Sequence, residues 1–294
     1  MSKFSSDQAA GLRRLLDREQ LRVITFVSGV PGVGKSVLIA NLAVSLARLG
    51  KRVLVLDENS RRNMASCFGF SVRGDLQQVI DGERSLTDIL LDAAVNVRVL
   101  SIARSIKKLQ KLTSSQQQAF IALISELEGF ADIILVDTSP DYALGFSPAG
   151  LAAHETIVVI SRTGASITDA YALIKKVSLG YSHRNFRILV NRVSSMEEAA
   201  TIYGNLEQVT HSRALANLSF AGYVPVDEHF REAAQSGQSV AEMFPDAPSA
   251  AACKKIAADM LDWPVYTNGS DRLEKFGQQL LRLSRCIDPA AIYA

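Results

Sequence analysis

Eight consecutive residues, Gly29-Val30-Pro31-Gly32-Val33-Gly34-Lys35-Ser36, satisfy the pattern G-x-x-x-x-G-K-[S/T]. Glycines at this spacing let backbone N–H groups turn inward on a phosphate chain. A helix starting at the end of the loop adds the positive end of its dipole to the same anion. In such a loop Lys35 contacts the β- and γ-phosphates and the Ser36 hydroxyl ligates Mg2+. The expected nucleotide set is therefore Gly29, Pro31, Gly32, Val33, Gly34, Lys35, Ser36 and Val37, with ATP or ADP and Mg2+ as ligands. The bland alternative is a glycine turn carrying an ordinary surface lysine.

Two aspartates close apolar runs, Asp57 in VLVLD and Asp137 in IILVD. Those are the places where a P-loop protein keeps its magnesium-holding carboxylate, so Ser36, Asp57 and Asp137 form the expected metal set. An aspartate at a strand end also caps helices and forms turns. Asn191, closing RILVN, is placed either to read a base edge or to bond to backbone.

These residues need a frame, and the chain supplies one. Short β-branched runs alternate with longer helical patterns. Strands are expected at Val23–Ser28, Val53–Asp57, Val97–Ile102, Ile133–Asp137, Thr156–Ser161, Arg187–Asn191 and Ser219–Val224. Several are apolar almost throughout, as strands buried on both faces of a parallel sheet are. Helices are expected at Ser36–Leu49, Ser114–Glu128, Ser166–Ser178 and Met196–Thr210. The alternation implies an α/β fold, a doubly wound, mostly parallel sheet with helices on both faces and ligands at the carboxyl ends of the strands.

Composition narrows the function. The 294 residues are 48% hydrophobic and 21% charged, enough for a sizeable core. A net charge of +2 and no long basic run give no signature of a nucleic-acid binder. Cys67, Cys253 and Cys286 are scattered, which argues against a zinc site or disulfide framework and for a reducing cytoplasm. The start, MSKFSSDQAAGLRR, has no apolar stretch of the signal-peptide kind. Residues 1–20 read as a helix standing apart, 21–264 as the nucleotide-binding domain, and 265–294 as a linker and an amphipathic C-terminal helix. In that last helix Leu273, Phe276, Leu280 and Leu283 recur at helical spacing beside a small basic excess. Such a stripe suits an anionic membrane surface, and equally packing on the core or on a second copy.

At this level the chain resembles the deviant P-loop ATPases of the MinD/ParA class (the SIMIBI group), and within them the flagellar-number branch, FlhG/FleN. The resemblance rests on Asp7-Gln8-Ala9-Ala10-Gly11-Leu12-Arg13, similar to a DQAxGLR motif. It rests also on Ser166-Ile-Thr-Asp-Ala-Tyr-Ala-Leu-Ile-Lys175, and on Ile188-Leu-Val-Asn191 with the later Gly222-Tyr-Val-Pro225, where that family binds adenine. It implies an ATP-dependent sandwich homodimer, peripheral attachment to the inner face of the plasma membrane, and control of flagellar number. The implied partners are the signal-recognition-type GTPase FlhF, docked through Gln8, Leu12 and Arg13, the flagellar master transcription activator, and C-ring components.

Three departures qualify that expectation. Val30 and Pro31 replace the lysine and glycine of K-G-G-x-G-K-[S/T], so no lysine reaches across to a partner's phosphates. Asp57-Glu58-Asn59 replaces D-x-D, leaving Asn59 as a substituted water-positioning residue. Asp141 stands where the family has a glycine that senses the γ-phosphate. Together they imply a switch that binds ATP and hydrolyses it poorly. A partition ATPase binding DNA non-specifically is the alternative, and it needs a basic surface able to neutralise several phosphates. Lys107-Lys108 with Lys111, and Lys175-Lys176, are the clusters available, and both also read as solvated helix faces. A scaffold with an empty loop is the third reading.

Overall fold

A computed structural model describes residues 21–60, 63–139, 147–153, 155–264 and 272–286. Eight strands form one sheet: β1 Arg22–Val27, β2 Val53–Asp57, β3 Leu91–Ala94, β4 Val97–Ser101, β5 Ile133–Asp137, β6 Glu155–Ser161, β7 Asn185–Val193 and β8 Asn217–Pro225. Their order is β3-β4-β2-β5-β1-β6-β7-β8. All neighbours are parallel except β3 with β4. The short edge strand β3 escapes sequence reading because Leu-Asp-Ala-Ala has no β-branched residue and is partly exposed. The parallel strands expected from apolar runs are all present, with ends shifted by up to two residues.

Every residue of β1, β2, β5 and β6 is buried, since helices cover both faces. The period of two sorts the side chains. Ile24, Phe26, Val53, Val55, Ile133 and Leu135 face α1, Lys35–Arg48, while Val23, Leu54, Leu56, Ile134 and Val136 face the other side. That second side carries α2 (Ser114–Glu126), α3 (Pro148–Ala152), α4 (Gly164–Tyr181) and α5 (Met196–Ser212). Helix α6, Pro248–Asp262, joins α1 on the first side. Shorter helices and 3-10 turns complete the connections. The strands thus deliver Asp57, Asp137, Ser161 and Asn191 to one edge of the sheet, beside the phosphate loop.

The C-terminal helix corrects an expectation. It forms, as α7 from Arg272 to Cys286, but it does not stand apart. Leu273, Phe276, Leu280 and Leu281 are buried in the same cluster as Phe120 and Ile124 of α2 and Ala149 and Ala152 of α3. The Gln110 amide donates to the Ser284 carbonyl, and Arg285 donates to Gln117 Oε1 at 2.9 Å. Of the settings that suit such a stripe, the core is the one it occupies, with Leu283 half-buried against it. The N-terminal motif, with Gln8, Leu12 and Arg13, lies outside the described residues, as do Asp141 and the 265–271 linker.

Candidate nucleotide site

The loop leaves β1 at Val27 and enters α1 at Lys35. Gly32 and Gly34 have φ of 82° and 90°, left-handed values that side-chain-bearing residues rarely adopt. At Gly34 a Cβ would also stand 2.7 Å from Asn191 Nδ2. Gly29 is required for another reason: its Cβ would lie 2.5 Å from the Asp169 backbone carbon of α4. The loop's first glycine therefore lets it press against a neighbouring helix. Pro31, expected among the phosphate-binding residues, has no N–H to donate and is exposed, so it shapes the loop and cannot bond phosphate.

Lys35 is buried. Its ammonium is ion-paired with Asp137 Oδ1 and donates to the Thr138 carbonyl at 2.6 Å. Asn59 faces the same carboxylate: its Nδ2 donates to Asp137 Oδ2 and to Asp57 Oδ1, each at 2.9 Å. Asp57 also accepts the Asn59 N–H at 2.9 Å and the Met64 N–H at 2.6 Å. Burial, then the Asp137 charge, push the Asp57 carboxyl up to about 7. The Asn59 amide is thus engaged by both aspartates.

On the other flank, Asn191 donates its amide to the Val33 carbonyl at 2.8 Å and is buried. One N–H of the amide thus pins the loop, and its second N–H and Oδ1 make no side-chain bond among the described residues that would keep them from a base. Beside it a bulge breaks the β7–β8 register between Asn191 and Val193, and Arg192 adopts φ 61°. Bulges re-aim side chains next to active sites. Here the Arg192 guanidinium lands on the loop and donates to the Gly32 carbonyl at 3.1 Å. A cleft of about 420 Å3 opens at this point, lined by Val30–Val33 of the loop with Arg162, Arg192 and Val226. Pro225, expected at the adenine, ends β8 next to Val226 and is not among the lining residues.

Residues 24–240 match the CobQ/CobB/MinD/ParA nucleotide binding domain. The chain belongs to the MinD/ParA family. It is 31% identical over 272 residues to the antiactivator FleN of Pseudomonas aeruginosa, covering 92% of this chain and 97% of that one. The septum site-determining protein MinD of Helicobacter pylori is 26% identical over 245 residues, covering 81% and 90%. Among solved structures, the MinD cell division protein of Aquifex aeolicus superposes with a TM-score of 0.63 at 22% identity, over 84% of this chain and 100% of its own. MinD of Pyrococcus horikoshii, complexed with Mg-ADP, gives 0.59 at 23% identity, over 82% and 96%. The structural likenesses show the shared fold.

A MinD/ParA domain binds nucleotide, and this site suits one. Left-handed glycines shape the loop, a 14-residue helix begins at Lys35, and the Ser36 hydroxyl with the Asp57 and Asp137 carboxylates offers hard oxygen donors. Mg2+ uses such a sparse set because phosphates and waters complete its shell.

Glu58 is the residue sequence reading passed over. It is buried, and its Oε2 accepts the Ser139 N–H at 3.0 Å. Its Oε1 has no hydrogen-bond partner among the described residues. Burial outweighs this donor and lifts the carboxyl from 4.5 to about 7. A carboxylate immediately after a strand-end aspartate was the signal available. The folded chain keeps this proton up to about pH 7, whereas an unfolded chain releases it near 4.5. The associated stability is complete below the lower value and lost as pH rises through the upper one. The loss is on the order of 3 kcal/mol. Glu58→Gln keeps an acceptor for Ser139 and removes the titration. Urea unfolding across that range should show a shallower decline than wild type, and identical slopes would contradict the assignment.

Proposed function

We propose that this protein is a nucleotide-operated regulator of the flagellar-number type, binding ATP or ADP with Mg2+ and turning ATP over slowly. The observation that carries this reading is the likeness to an antiactivator along 97% of that protein's length, joined to a formed phosphate loop. An antiactivator acts by engaging an activator, so the flagellar master transcription activator is the first partner to test. The motif holding Gln8, Leu12 and Arg13 suits docking to the GTPase FlhF. C-ring components and a nucleotide-dependent second copy complete the set, in the cytoplasm.

Slow turnover follows from the residues at the site. Val30 and Pro31 bring no charge to the loop, and the Asn59 amide already serves two aspartates. A positioned acid–base group contributes about 10²–10⁴-fold to a rate. Phosphate release should therefore run at least about 100-fold below that of Pseudomonas aeruginosa FleN assayed beside it. Binding of both Mg-ATP and Mg-ADP, followed by mass measurement, should accompany this. Equal turnover, abolished by Lys35→Ala, would show that another residue supplies the missing chemistry.

A further inference from the structure

Asp57 and Asp137 end adjacent strands, paired in register, and both are buried. Two neighbouring carboxylates repel each other unless a proton, hydrogen-bond donors or a cation offset the charge. Here the chain's own donors occupy all four oxygens. Asn59 Nδ2 bridges Asp57 Oδ1 and Asp137 Oδ2, Met64 N–H takes Asp57 Oδ2, and Lys35 takes Asp137 Oδ1. An amide suits the bridge because its two N–H groups match two acceptors and it brings no charge. A carboxylate at position 59 would instead place a third acceptor where both neighbours accept.

We propose that Asn59 is a positioning residue that clamps Asp57 to Asp137, so that a divalent cation alone finds no open carboxylate and enters only with a nucleotide. The inference rests on the site being a magnesium–nucleotide site. When phosphates draw Lys35 off Asp137, one clamp is released, and the Asn59 amide is left as the group the cation displaces. Coupling of this kind makes the second ligand's affinity conditional on the first.

The test needs no turnover. Mn2+, standing for Mg2+, is titrated into the full chain without nucleotide, and the free Mn2+ is read from its paramagnetic resonance signal. Wild type should leave millimolar Mn2+ free, and adding ADP should capture it. Asn59→Asp should bind Mn2+ alone at least about tenfold more tightly, and in EDTA it should melt about 5 °C or more below wild type, recovering when Mg2+ is added. If the variant folds only with Mg2+ present, that dependence supports the proposal. Wild type that takes up Mn2+ alone as well as Asn59→Asp overturns it. Failure of ADP to bind wild type is a separate result. It removes the nucleotide reading, while the comparison of Mn2+ affinities still decides the role of Asn59.

Discussion

Replacing Lys35 by alanine should abolish nucleotide binding and destabilise the protein at once. The two effects have different origins. The phosphates lose the fixed cation at the start of α1, a charge-assisted contact whose removal costs several kcal/mol when desolvated. Affinity for Mg-ATP should fall by at least about 10²-fold, measured by equilibrium dialysis. Separately, Asp137 is fully buried, with Lys35 on one oxygen and Asn59 on the other. Removing the ammonium strands a buried carboxylate, and breaking a buried pair from one side typically costs about 3–5 kcal/mol. The variant should therefore melt well below wild type without nucleotide. Unchanged affinity for Mg-ATP would remove the phosphate-loop assignment.

Much of this was legible in the sequence, for identifiable reasons. A parallel strand covered on both faces must be apolar throughout, so Ile-Ile-Leu-Val-Asp and Thr-Ile-Val-Val-Ile-Ser announce themselves. The loop was legible because few chemistries need glycines and a lysine at that spacing. The stretch Ser166–Lys175 carried the family resemblance, and its conformation accounts for part of its pattern. Ser166, Ala170, Leu173 and Ile174 are buried, Ser166 Oγ accepts the Ser161 N–H, and the backbone at Asp169 is what Gly29 presses against. Tertiary partnerships were what the sequence concealed. Nothing local to Asn59 says that its amide spans two strand ends, nor that Asn191 holds the Val33 carbonyl. Arg192 is aimed at Gly32 by a bulge whose register depends on the neighbouring strand. The C-terminal stripe left membrane and core equally open, because amphipathicity reports that a face is buried and not what buries it.

Ending the chain at Tyr266 should cost it cooperative folding. The cut removes α7, whose Leu273, Phe276 and Leu280 are at most 1% exposed, with Leu281 close behind. Burying one such side chain stabilises by about 1.5–3 kcal/mol, so four contribute roughly 6 kcal/mol or more. The loss also exposes the faces of Phe120, Ile124, Ala149 and Ala152 that these residues cover. Whole domains hold only about 5–15 kcal/mol, so the shortened chain should melt broadly at a much lower temperature, or aggregate. α3 follows the segment that begins at Ser139, whose N–H Glu58 holds beside Asp57, so the damage should reach the nucleotide site and weaken ADP binding too. Loss of vesicle binding in that truncation would then say nothing about a membrane helix. Substituting the exposed Lys275 and Arg282 by glutamine probes the outer face while leaving the packed one intact. That double variant should melt within about 1–2 °C of wild type, since surface changes typically stay within ±0.5 kcal/mol each. Should the chain ending at Tyr266 instead melt like the full one, α7 would be a detachable element, its stripe available to a lipid surface after all.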